Sequence, residues 1–329
     1  MTPSRRDVLR LAGTTATAAM APVGIAGTVT VTAQEPVDGD LPAYSQWLPV
    51  DDGGLEFAFV DWAALDEYVQ DELETANPNE AVPAAYEADP MIAPVSEGSL
   101  STYLFVGLTL GQFRLGRLLD DEAFESTIEG LLRTTDAFVV TGRIDPAEID
   151  AQITAAPEAE FIRQLERTDE IEGYDVYTPV SEATDAAIAV GDEALVIVTG
   201  EDPNAADDPR TRLERPIGAS TGTADRMTDA SEAFAWTLER AGDGDVIVGQ
   251  YGDGDGVVDF AFDGLEDAES IVSSLTVEDE ETSTGEFAAV IDDLDEATLE
   301  AVLGASADER SLDIEDDRVT ATGMWRERN

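Results

Sequence analysis

The sequence AFVVTGRIDPAEIDAQITA, residues 137–155, contains the pattern around which the rest of the chain is organised. Its first part, Ala137–Ile144, is a short apolar run with one phenylalanine, which predicts a β-strand. Asp145 and Pro146 follow, and this pair is typical of a helix N-terminus because aspartate caps free N–H groups and proline fits the first helical position. Isoleucines at helical spacing then predict a helix over Asp145–Ala155. The stretch therefore predicts a strand that leads directly into a helix.

The same pattern recurs three times elsewhere in the chain. EFAAVIDDLDEATLEAVL, residues 286–303, predicts a strand over Glu286–Ile291 and a helix over Leu294–Leu303. The two other pairs of a predicted strand and a predicted helix are Leu55–Val60 with Asp61–Glu74 and Val257–Phe262 with Leu265–Leu275. Each pair places acidic residues in the turn, where they favour a helix N-terminus.

Additional β-prone runs follow two of these units. They are Tyr174–Thr178, Ala186–Val190 and Ala194–Thr199 after the first, with a turn at Gly191-Asp192, and Ser311–Ile314 and Arg318–Met324 after the last, with a turn at Asp316-Asp317. Residues 137–200 and 286–325 thus share the order strand, helix, strand, strand. We therefore predict an α+β fold of two related halves, each a mostly antiparallel sheet with helices packed on one face.

The composition of the middle of the chain predicts where the two halves meet. Glu201–Ala219 is rich in Asp, Pro and Arg, and an amphipathic helix over Ala224–Ala241 is expected to pack against a sheet. We accordingly predict an N-terminal half at 53–204 and a C-terminal half at 205–329. The uncharged run Gly98–Phe113 is shorter than a membrane span and contains Gly and Ser, so it is expected to form a buried strand.

The charge of the chain is strongly negative. Asp and Glu number 72 against 18 basic residues, all of them Arg, and the net charge is −54. With 43% hydrophobic residues the chain can still build a core, so the acidity does not indicate disorder. Like charges at this density repel one another, and molar salt screens them by reducing the Debye length to about 3 Å. The composition therefore predicts a halophilic protein, and it argues against nucleic acid as a partner because no basic patch could neutralise phosphates.

Residue types that the chain lacks exclude most catalytic mechanisms. It contains no His, Cys or Lys, which rules out catalytic triads, thiol nucleophiles, zinc sites of Cys or His, and Schiff bases. A pair of carboxylates, as in glycoside hydrolysis, is the chemistry that stays open. We therefore predict a non-enzymatic binding or cell-surface module without assigned catalytic residues, and the alternative is a secreted, glycosidase-like hydrolase that uses carboxylates.

Glycine and aspartate alternate in Gly252-Asp253-Gly254-Asp255-Gly256, which resembles a calcium-binding loop. The pattern lacks the details of an EF-hand, since valines stand where a ligand and the required glycine belong. A turn between strands at Val246–Tyr251 and Val257–Phe262 accounts for the same glycines. The alternative is a weak site for a divalent cation, and no other cofactor is expected. Its ligands would be Asp253, Asp255 and Asp259.

Arginines are concentrated at one place after the first half. The cluster is Arg210, Arg212 and Arg215. Its acidic neighbours Asp207, Asp208 and Glu214 predict ion pairs within the protein. Because a guanidinium group can also grip a carboxylate or phosphate with two parallel hydrogen bonds, recognition of an anionic group is the alternative.

The N-terminus, Ser4-Arg5-Arg6-Asp7-Val8-Leu9, resembles the twin-arginine export motif, with Arg5 and Arg6 as the signal pair. An uncharged, mildly hydrophobic run follows from Leu11, and its small residues predict cleavage after Ala33. The segment 1–33 is therefore predicted to be a signal peptide, and 34–52 a flexible leader. Retention of the run as a membrane anchor is the alternative. After cleavage, no transmembrane span is expected.

The export motif and the acidic composition without lysine together resemble the twin-arginine-exported proteins of unknown function of haloarchaea. Asp136–Ile144 before Asp145-Pro146, and Gly173-Tyr174-Asp175-Val176-Tyr177 further on, are similar to segments of that group. The resemblance implies an extracytoplasmic protein, secreted or associated with the cell surface. It transfers no activity to any residue, and the expected partner is an envelope protein or ligand that the sequence does not identify.

Overall fold

The computed structural model describes residues 41–51, 53–65, 69–70, 73, 84–120, 123–156, 162–180, 186–199, 208–253, 256–279, 281–292 and 294–326. The predicted signal residues Arg5, Arg6 and Ala33 lie outside this range, as do the predicted ligand Asp255 and part of the predicted helix Asp61–Glu74.

Twelve strands form a single sheet in which every pair of neighbours is antiparallel. They are β1 (Leu55–Asp61), β2 (Thr127–Thr134), β3 (Phe138–Arg143), β4 (Leu165–Ile171), β5 (Tyr174–Pro179), β6 (Ala187–Val190), β7 (Ala194–Val198), β8 (Val246–Tyr251), β9 (Ala268–Asp279), β10 (Thr282–Ile291), β11 (Glu309–Glu315) and β12 (Arg318–Arg326). The order across the sheet is β11-β12-β10-β9-β8-β1-β2-β3-β7-β6-β5-β4.

The described residues also contain a short 3-10 helix, Ala43–Trp47, and seven α-helices. The α-helices are α1 (Ala84–Glu87), α2 (Ala93–Gln112), α3 (Pro146–Ile153), α4 (Pro209–Thr221), α5 (Met227–Ala230), α6 (Glu232–Ala241) and α7 (Glu296–Val302). This combination of one large antiparallel sheet with packed helices is an α+β fold, as predicted. No helix of the described residues is both long enough and apolar enough to cross a membrane.

The strand order is compatible with two related halves. Strands β1 and β8 pair at the centre of the sheet, from Leu55 opposite Tyr251 to Val60 opposite Val246. On either side of them the next two strands follow in chain order, β2 and β3 in one direction and β9 and β10 in the other. A helix then follows the third strand in each half, α3 after β3 and α7 after β10. The hairpin of β4 and β5 is an addition at the N-terminal edge of the sheet.

Helices cover both faces of this sheet. Residues alternate along each strand, so that Leu195 and Ile197 of β7 point to one apolar cluster while Val196 and Val198 point to the other. The first face packs against α2, α3 and α7, the second against the 3-10 helix, α4 and α6. Burial of each large apolar side chain contributes roughly 1.5–3 kcal/mol, so the sheet is stabilised from both sides. The helices of the two repeated units, α3 and α7, lie on the same face.

The predicted strand–helix units at 137–155 and 286–303 are confirmed. Asp145 caps α3 by accepting hydrogen bonds from Ala147 N and Glu148 N, and Asp295 caps α7 from Ala297 N and Thr298 N. A carboxylate at this position satisfies N–H groups that the first helical turn leaves free. The two helices therefore begin by the same local mechanism.

The predicted strand Gly98–Phe113 is wrong, because this run lies in helix α2 and the turn after it. The run is uncharged, and its apolar residues show neither the alternation of a strand nor the stripe of an amphipathic helix. Its inner side packs on the middle of the sheet, where a Cβ at Gly98 would lie 2.4 Å from Val248 Cγ1. Only a glycine lets the helix approach β8 this closely.

The predicted strand Val257–Phe262 and the helix Leu265–Leu275 are also wrong. The first has no regular structure, and most of the second belongs to the long strand β9. The predicted strand Val246–Tyr251 is confirmed as β8, but it pairs with β1 and β9 and not with the predicted strand Val257–Phe262. Several positions on the buried side of β9 are serines. The apolar residues of this strand therefore lie three to four apart, which is the spacing expected of a helix.

The predicted helix Ala224–Ala241 is divided into α5 and α6 at Ser231. Ser231 has extended backbone angles, and its hydroxyl caps α6 by accepting from Phe234 N. The predicted connector Glu201–Ala219 contains most of helix α4, which the Asp, Pro and Arg content concealed.

Candidate anion-binding cleft

Helix α4 brings two arginines to one side of the sheet. Asp208 caps the helix by accepting hydrogen bonds from Arg210 N and Thr211 N, and these bonds hold the pKa of its carboxyl below the ordinary value. Leu213 and Ile217 bury the opposite side of the helix in the core. Arg212 and Arg215 lie one turn apart and both reach the turn between β2 and β3.

The turn between β2 and β3 is closed by Thr134 and Ala137. Thr134 N donates to Ala137 O at 2.9 Å, and Ala137 N donates back to Thr134 Oγ1 at 3.1 Å. This geometry presents the carbonyl and the carboxylate of Asp136 to α4.

Arg212 is the charged group at the base of this arrangement. Its side chain is 7% exposed, its Nη1 donates to Thr199 O at 2.8 Å, and its Nη2 donates to Asp136 O at 2.6 Å. Within the described part of the chain its Nε is buried without a hydrogen-bond partner, and the Asp136 carboxylate is 3.8 Å away. A buried cation normally has its donors and its charge satisfied, so Arg212 is incompletely compensated.

Two further arginines stand beside it. Arg215 Nη1 lies 2.8 Å from Asp136 Oδ2 and 3.8 Å from Asp51 Oδ2. Arg133, at the end of β2, donates to Ser101 Oγ at 3.0 Å, and its guanidinium lies 4.6 Å from the centre of the Phe105 ring. Burial lowers the pKa of Arg133 from its ordinary value, and the charges of Glu56 and Glu97 oppose that shift.

These groups enclose a cavity of about 170 Å³, which we call the arginine cleft. The arginine cleft is lined by Arg133, Thr134, Thr135, Asp136, Ala137, Phe138, Thr199, Arg212, Gly256 and Val257. Two of these residues are cationic and one is anionic, although the chain as a whole has a net charge of −54. The arginine cleft is therefore suited to hold an anionic group.

The rest of the predicted arginine cluster forms ion pairs. Arg210 pairs with Asp169 and, at 2.8 Å, with Glu214, which confirms ion pairing for this residue. Asp208 serves as a helix cap, and Asp207 lies outside the described residues. Arg210 and Arg215 thus form the predicted ion pairs with carboxylates. Arg212 is instead held by carbonyl groups, so recognition of an anionic group stays open for it.

The predicted divalent-cation site is not assembled by the described residues. Asp253 and Asp259 are exposed, and Asp259 Oδ1 accepts a hydrogen bond from Ala261 N at 2.8 Å. No group of three or more carboxylates placed to hold a metal ion occurs among the described residues. The same Gly-Asp segment instead reaches the arginine cleft, because Gly256 and Val257 line it.

Another buried acidic side chain lies just before α2. Asp89 is fully buried, and its carboxylate accepts from Met91 N, Gly304 N, Ser306 N and Ser306 Oγ, at 3.1, 3.0, 2.8 and 2.6 Å. Ser306 Oγ also accepts from Trp325 Nε1 at 2.9 Å. This group, which we call the Asp89 corner, ties the start of α2 to the segment between α7 and β11.

No pattern in the sequence singled out Arg133 or the turn at Asp136 as parts of a site. Arg133 is 79 residues from Arg212 along the chain, and no motif connects them. A threonine-rich turn before an aspartate, RTTD at 133–136, is the one local signal present, and it indicates a hairpin more than a binding residue.

No protein-family model and no curated protein sequence matches the chain. The fold is similar to solved structures of TP0453. Crystal form III of TP0453 gives a TM-score of 0.43 at 9% identity, covering 87% of this chain and 95% of that chain. Crystal form I gives a TM-score of 0.44 at 9% identity, covering 88% and 94%.

Proposed function

We propose that the chain is an exported, non-enzymatic binding module that holds an anionic group of its ligand in the arginine cleft. One observation supports this most directly: the buried guanidinium of Arg212 lines the cavity and has a donor, Nε, without a hydrogen-bond partner in the described structure. An unsatisfied donor on a buried charge is costly. A carboxylate, sulfate or phosphate oxygen in the arginine cleft would satisfy the donor and compensate the charge.

The size of the cavity limits what it can hold. Pockets for whole drug-sized ligands usually measure about 300–1,000 Å³, and the arginine cleft measures about 170 Å³. It therefore accommodates one anionic group and not a complete large ligand. We propose that the group belongs to a larger partner, such as a carboxylate of an envelope protein or of a surface polymer.

The net charge of the protein sets the conditions for binding. At low salt, the field of 72 acidic residues repels anions at long range. In molar salt the Debye length is about 3 Å, so only the arginines in direct contact act on the ligand. Binding is therefore proposed to depend on short hydrogen bonds to Arg212 and Arg133 and to occur at high salt.

The residues near the arginine cleft do not favour the hydrolase alternative. Glycoside hydrolysis needs one carboxyl group as a proton donor and a second carboxylate as base or nucleophile. Asp136 is the one carboxylate among the residues that line the cavity, and it pairs with Arg215 at 2.8 Å. A single carboxylate at the cavity cannot supply both roles.

The experiment that tests binding uses selenate as an anionic probe whose selenium can be located by anomalous diffraction. Crystals of the full chain grown in molar salt are soaked in selenate, and the same is done for Arg212→Met. A matched control is Arg117→Met, which removes an arginine whose side chain is 75% exposed. We expect selenate in the arginine cleft of the wild type and the control, and none in Arg212→Met. Equal occupancy with and without Arg212, or no selenate in the cavity, would contradict the proposed binding site.

Export is tested separately from binding. In a halophilic host, a C-terminally tagged chain is expected in the envelope or the medium, and Arg5→Lys with Arg6→Lys should retain it in the cytoplasm. A partner that co-purifies with the wild type, but not with Arg212→Met, would identify the ligand. Export of the double lysine variant at the wild-type level would contradict the twin-arginine route.

A further inference from the structure

Two exposed apolar side chains of helix α2 lie next to the arginine cleft. Four large hydrophobic side chains are exposed in the described structure, and two of them, Phe105 at 45% and Leu108 at 64%, lie on this helix. They are three positions apart, so they are neighbours on one side of the helix. We call this pair the α2 stripe. Single exposed apolar side chains are common, whereas neighbouring ones beside a cavity indicate a surface for a ligand.

Arg133 connects the α2 stripe to the arginine cleft. It lines the cavity, donates to Ser101 Oγ at 3.0 Å, and its guanidinium lies 4.6 Å from the centre of the Phe105 ring. Ser101, Phe105 and Leu108 follow one another at intervals of four and three residues, so they share one side of α2. A ligand group that leaves the cavity past Arg133 therefore meets Phe105 first and Leu108 next.

The wall of the cavity on the side of α2 is also apolar. Phe138 and Val257 line the cavity, and both pack in the apolar cluster that α2 covers. Arg212 reaches the same cavity from α4, whose buried residues belong to the cluster on the other face of the sheet. The arginine cleft thus combines a cationic base with an apolar side that leads to the α2 stripe.

This combination selects among carboxylates. A side-chain carboxylate on an acidic surface has charged neighbours, and charged groups lose hydration when they are placed on an apolar surface. The carboxylate at the end of a polypeptide is different, because it is joined to the Cα of a residue whose own side chain can be apolar. α2 has one charged residue, Glu97, among its 20 residues, so the helix repels such an end less than the rest of this acidic chain does.

We infer that the arginine cleft binds the carboxyl terminus of a partner polypeptide whose last residue has a large apolar side chain. The terminal carboxylate accepts a hydrogen bond from Arg212 Nε, and the last side chain packs against the α2 stripe. Phe105 and Leu108 are about 4.5 Å apart along the helix axis, which suits one side chain and is shorter than a lipid acyl chain. The inference rests on the proposed function and adds the chemical class of the ligand.

The test compares three small probes that separate the carboxylate from the apolar side chain. Their dissociation constants for the full chain are measured in molar KCl by saturation-transfer NMR. N-acetyl-leucine has both groups, N-acetylglycine has only the carboxylate, and N-acetyl-leucinamide has only the apolar side chain. We expect N-acetyl-leucine to bind at least tenfold more tightly than N-acetylglycine, because burial of a leucine side chain supports a gain of this size. N-acetyl-leucinamide should bind at least tenfold more weakly than N-acetyl-leucine.

Two variants assign the two parts of the interaction to the two parts of the site. Leu108→Gln should reduce the preference for N-acetyl-leucine over N-acetylglycine to less than threefold and leave the affinity for N-acetylglycine unchanged. Arg212→Met should abolish binding of both carboxylates. The matched control is Val180→Gln, at a residue that is 53% exposed outside α2, and it should change neither affinity.

The outcomes distinguish failure of the inference from failure of the proposed function. Equal affinities for the two carboxylates, both dependent on Arg212, would overturn the inference and leave the anion site in place. Absence of binding by either carboxylate would overturn both. Octanoate that binds more tightly than N-acetyl-leucine through Leu108 would overturn the inference and assign the site to a fatty acid.

Discussion

The Asp89 corner and the arginine cleft show two ways in which the protein treats a buried charge. Asp89 is fully buried and accepts hydrogen bonds from three backbone N–H groups and one hydroxyl. Arg212 is almost as deeply buried, but two carbonyl groups accept from it and its Nε has no partner in the described residues. A charge with all its hydrogen bonds fixes structure, whereas a charge with a free donor beside a cavity is available to a ligand. We therefore expect the first region to contribute to stability, and we propose the second for binding.

The largest effect is expected from Asp89→Ala. The change leaves Gly304 N and Ser306 N buried without an acceptor, and we expect it to lower the free energy of unfolding by about 3 kcal/mol. Urea unfolding in molar KCl measures the loss. The control is Asp313→Ala, at an exposed position of β11, which should change stability little. Equal losses of unfolding free energy in the two variants would show that Asp89 contributes no more than an exposed aspartate.

A smaller loss is expected from Ser306→Ala, which removes one donor to Asp89 and the acceptor of Trp325 Nε1. Each hydrogen bond contributes about 1 kcal/mol, so the free energy of unfolding should fall by about 1–2 kcal/mol. In the double variant with Asp89→Ala the losses should be less than additive, because the two residues belong to one network. Additive losses would show that Ser306 acts independently of Asp89.

Arg212→Met tests how much the buried arginine of the arginine cleft contributes to stability. It removes two hydrogen bonds to carbonyl groups, but it also removes a buried charge that is incompletely compensated. Because the two effects oppose each other, the free energy of unfolding should change by no more than about 1 kcal/mol. Urea unfolding of this variant beside Asp89→Ala measures both regions in one series. A loss as large as that of Asp89→Ala would reassign Arg212 to a structural role.

The smallest effect is expected at alkaline pH, where Tyr86 beside the Asp89 corner and Tyr174 beside the turn between β6 and β7 titrate. Burial, Asp308 and Asp89 raise the pKa of Tyr86, and burial together with Glu193 and Asp192 raises the pKa of Tyr174 to about 12. A raised pKa means that the folded state holds the proton more tightly than the unfolded state. The resulting stabilisation is complete below the ordinary pKa of about 10 and is lost as the pH rises towards 12.

Thermal unfolding followed between neutral and alkaline pH checks this dependence. Tyr86→Phe and Tyr174→Phe should each reduce the fall in melting temperature at alkaline pH, and the larger reduction identifies the tyrosine whose titration costs more stability. A melting temperature that stays constant through this pH range would contradict the prediction.

Local patterns predicted the strand–helix units at 137–155 and 286–303 because their signals are contained in a few consecutive residues. A proline after an aspartate starts α3, and Asp295 starts α7. The same reasoning failed at Gly98–Phe113, since an apolar run without periodicity does not distinguish a helix from a strand. It failed again at Leu265–Leu275, where buried serines on β9 interrupt the alternation.

The arginine cleft could be predicted only in part. The cluster at Arg210, Arg212 and Arg215 was visible, but an ion pair and a binding residue have the same appearance in a chain with 72 acidic residues. Which arginine meets a carboxylate depends on the turn at Asp136, and that turn is brought to α4 by the order of strands in the sheet.

By itself the sequence determined the α+β class, the starts of α3 and α7, and the exclusion of chemistry that needs His, Cys or Lys, because propensity, capping and composition are local properties. Only the tertiary structure decided that Asp89 meets Ser306 across 217 residues and that Arg133 and Arg212 line one cavity. Contacts between residues so far apart along the chain follow from the pairing of β1 with β8 at the centre of the sheet. Pairing between distant strands depends on how whole faces bury their apolar side chains, and no short stretch of residues contains that information.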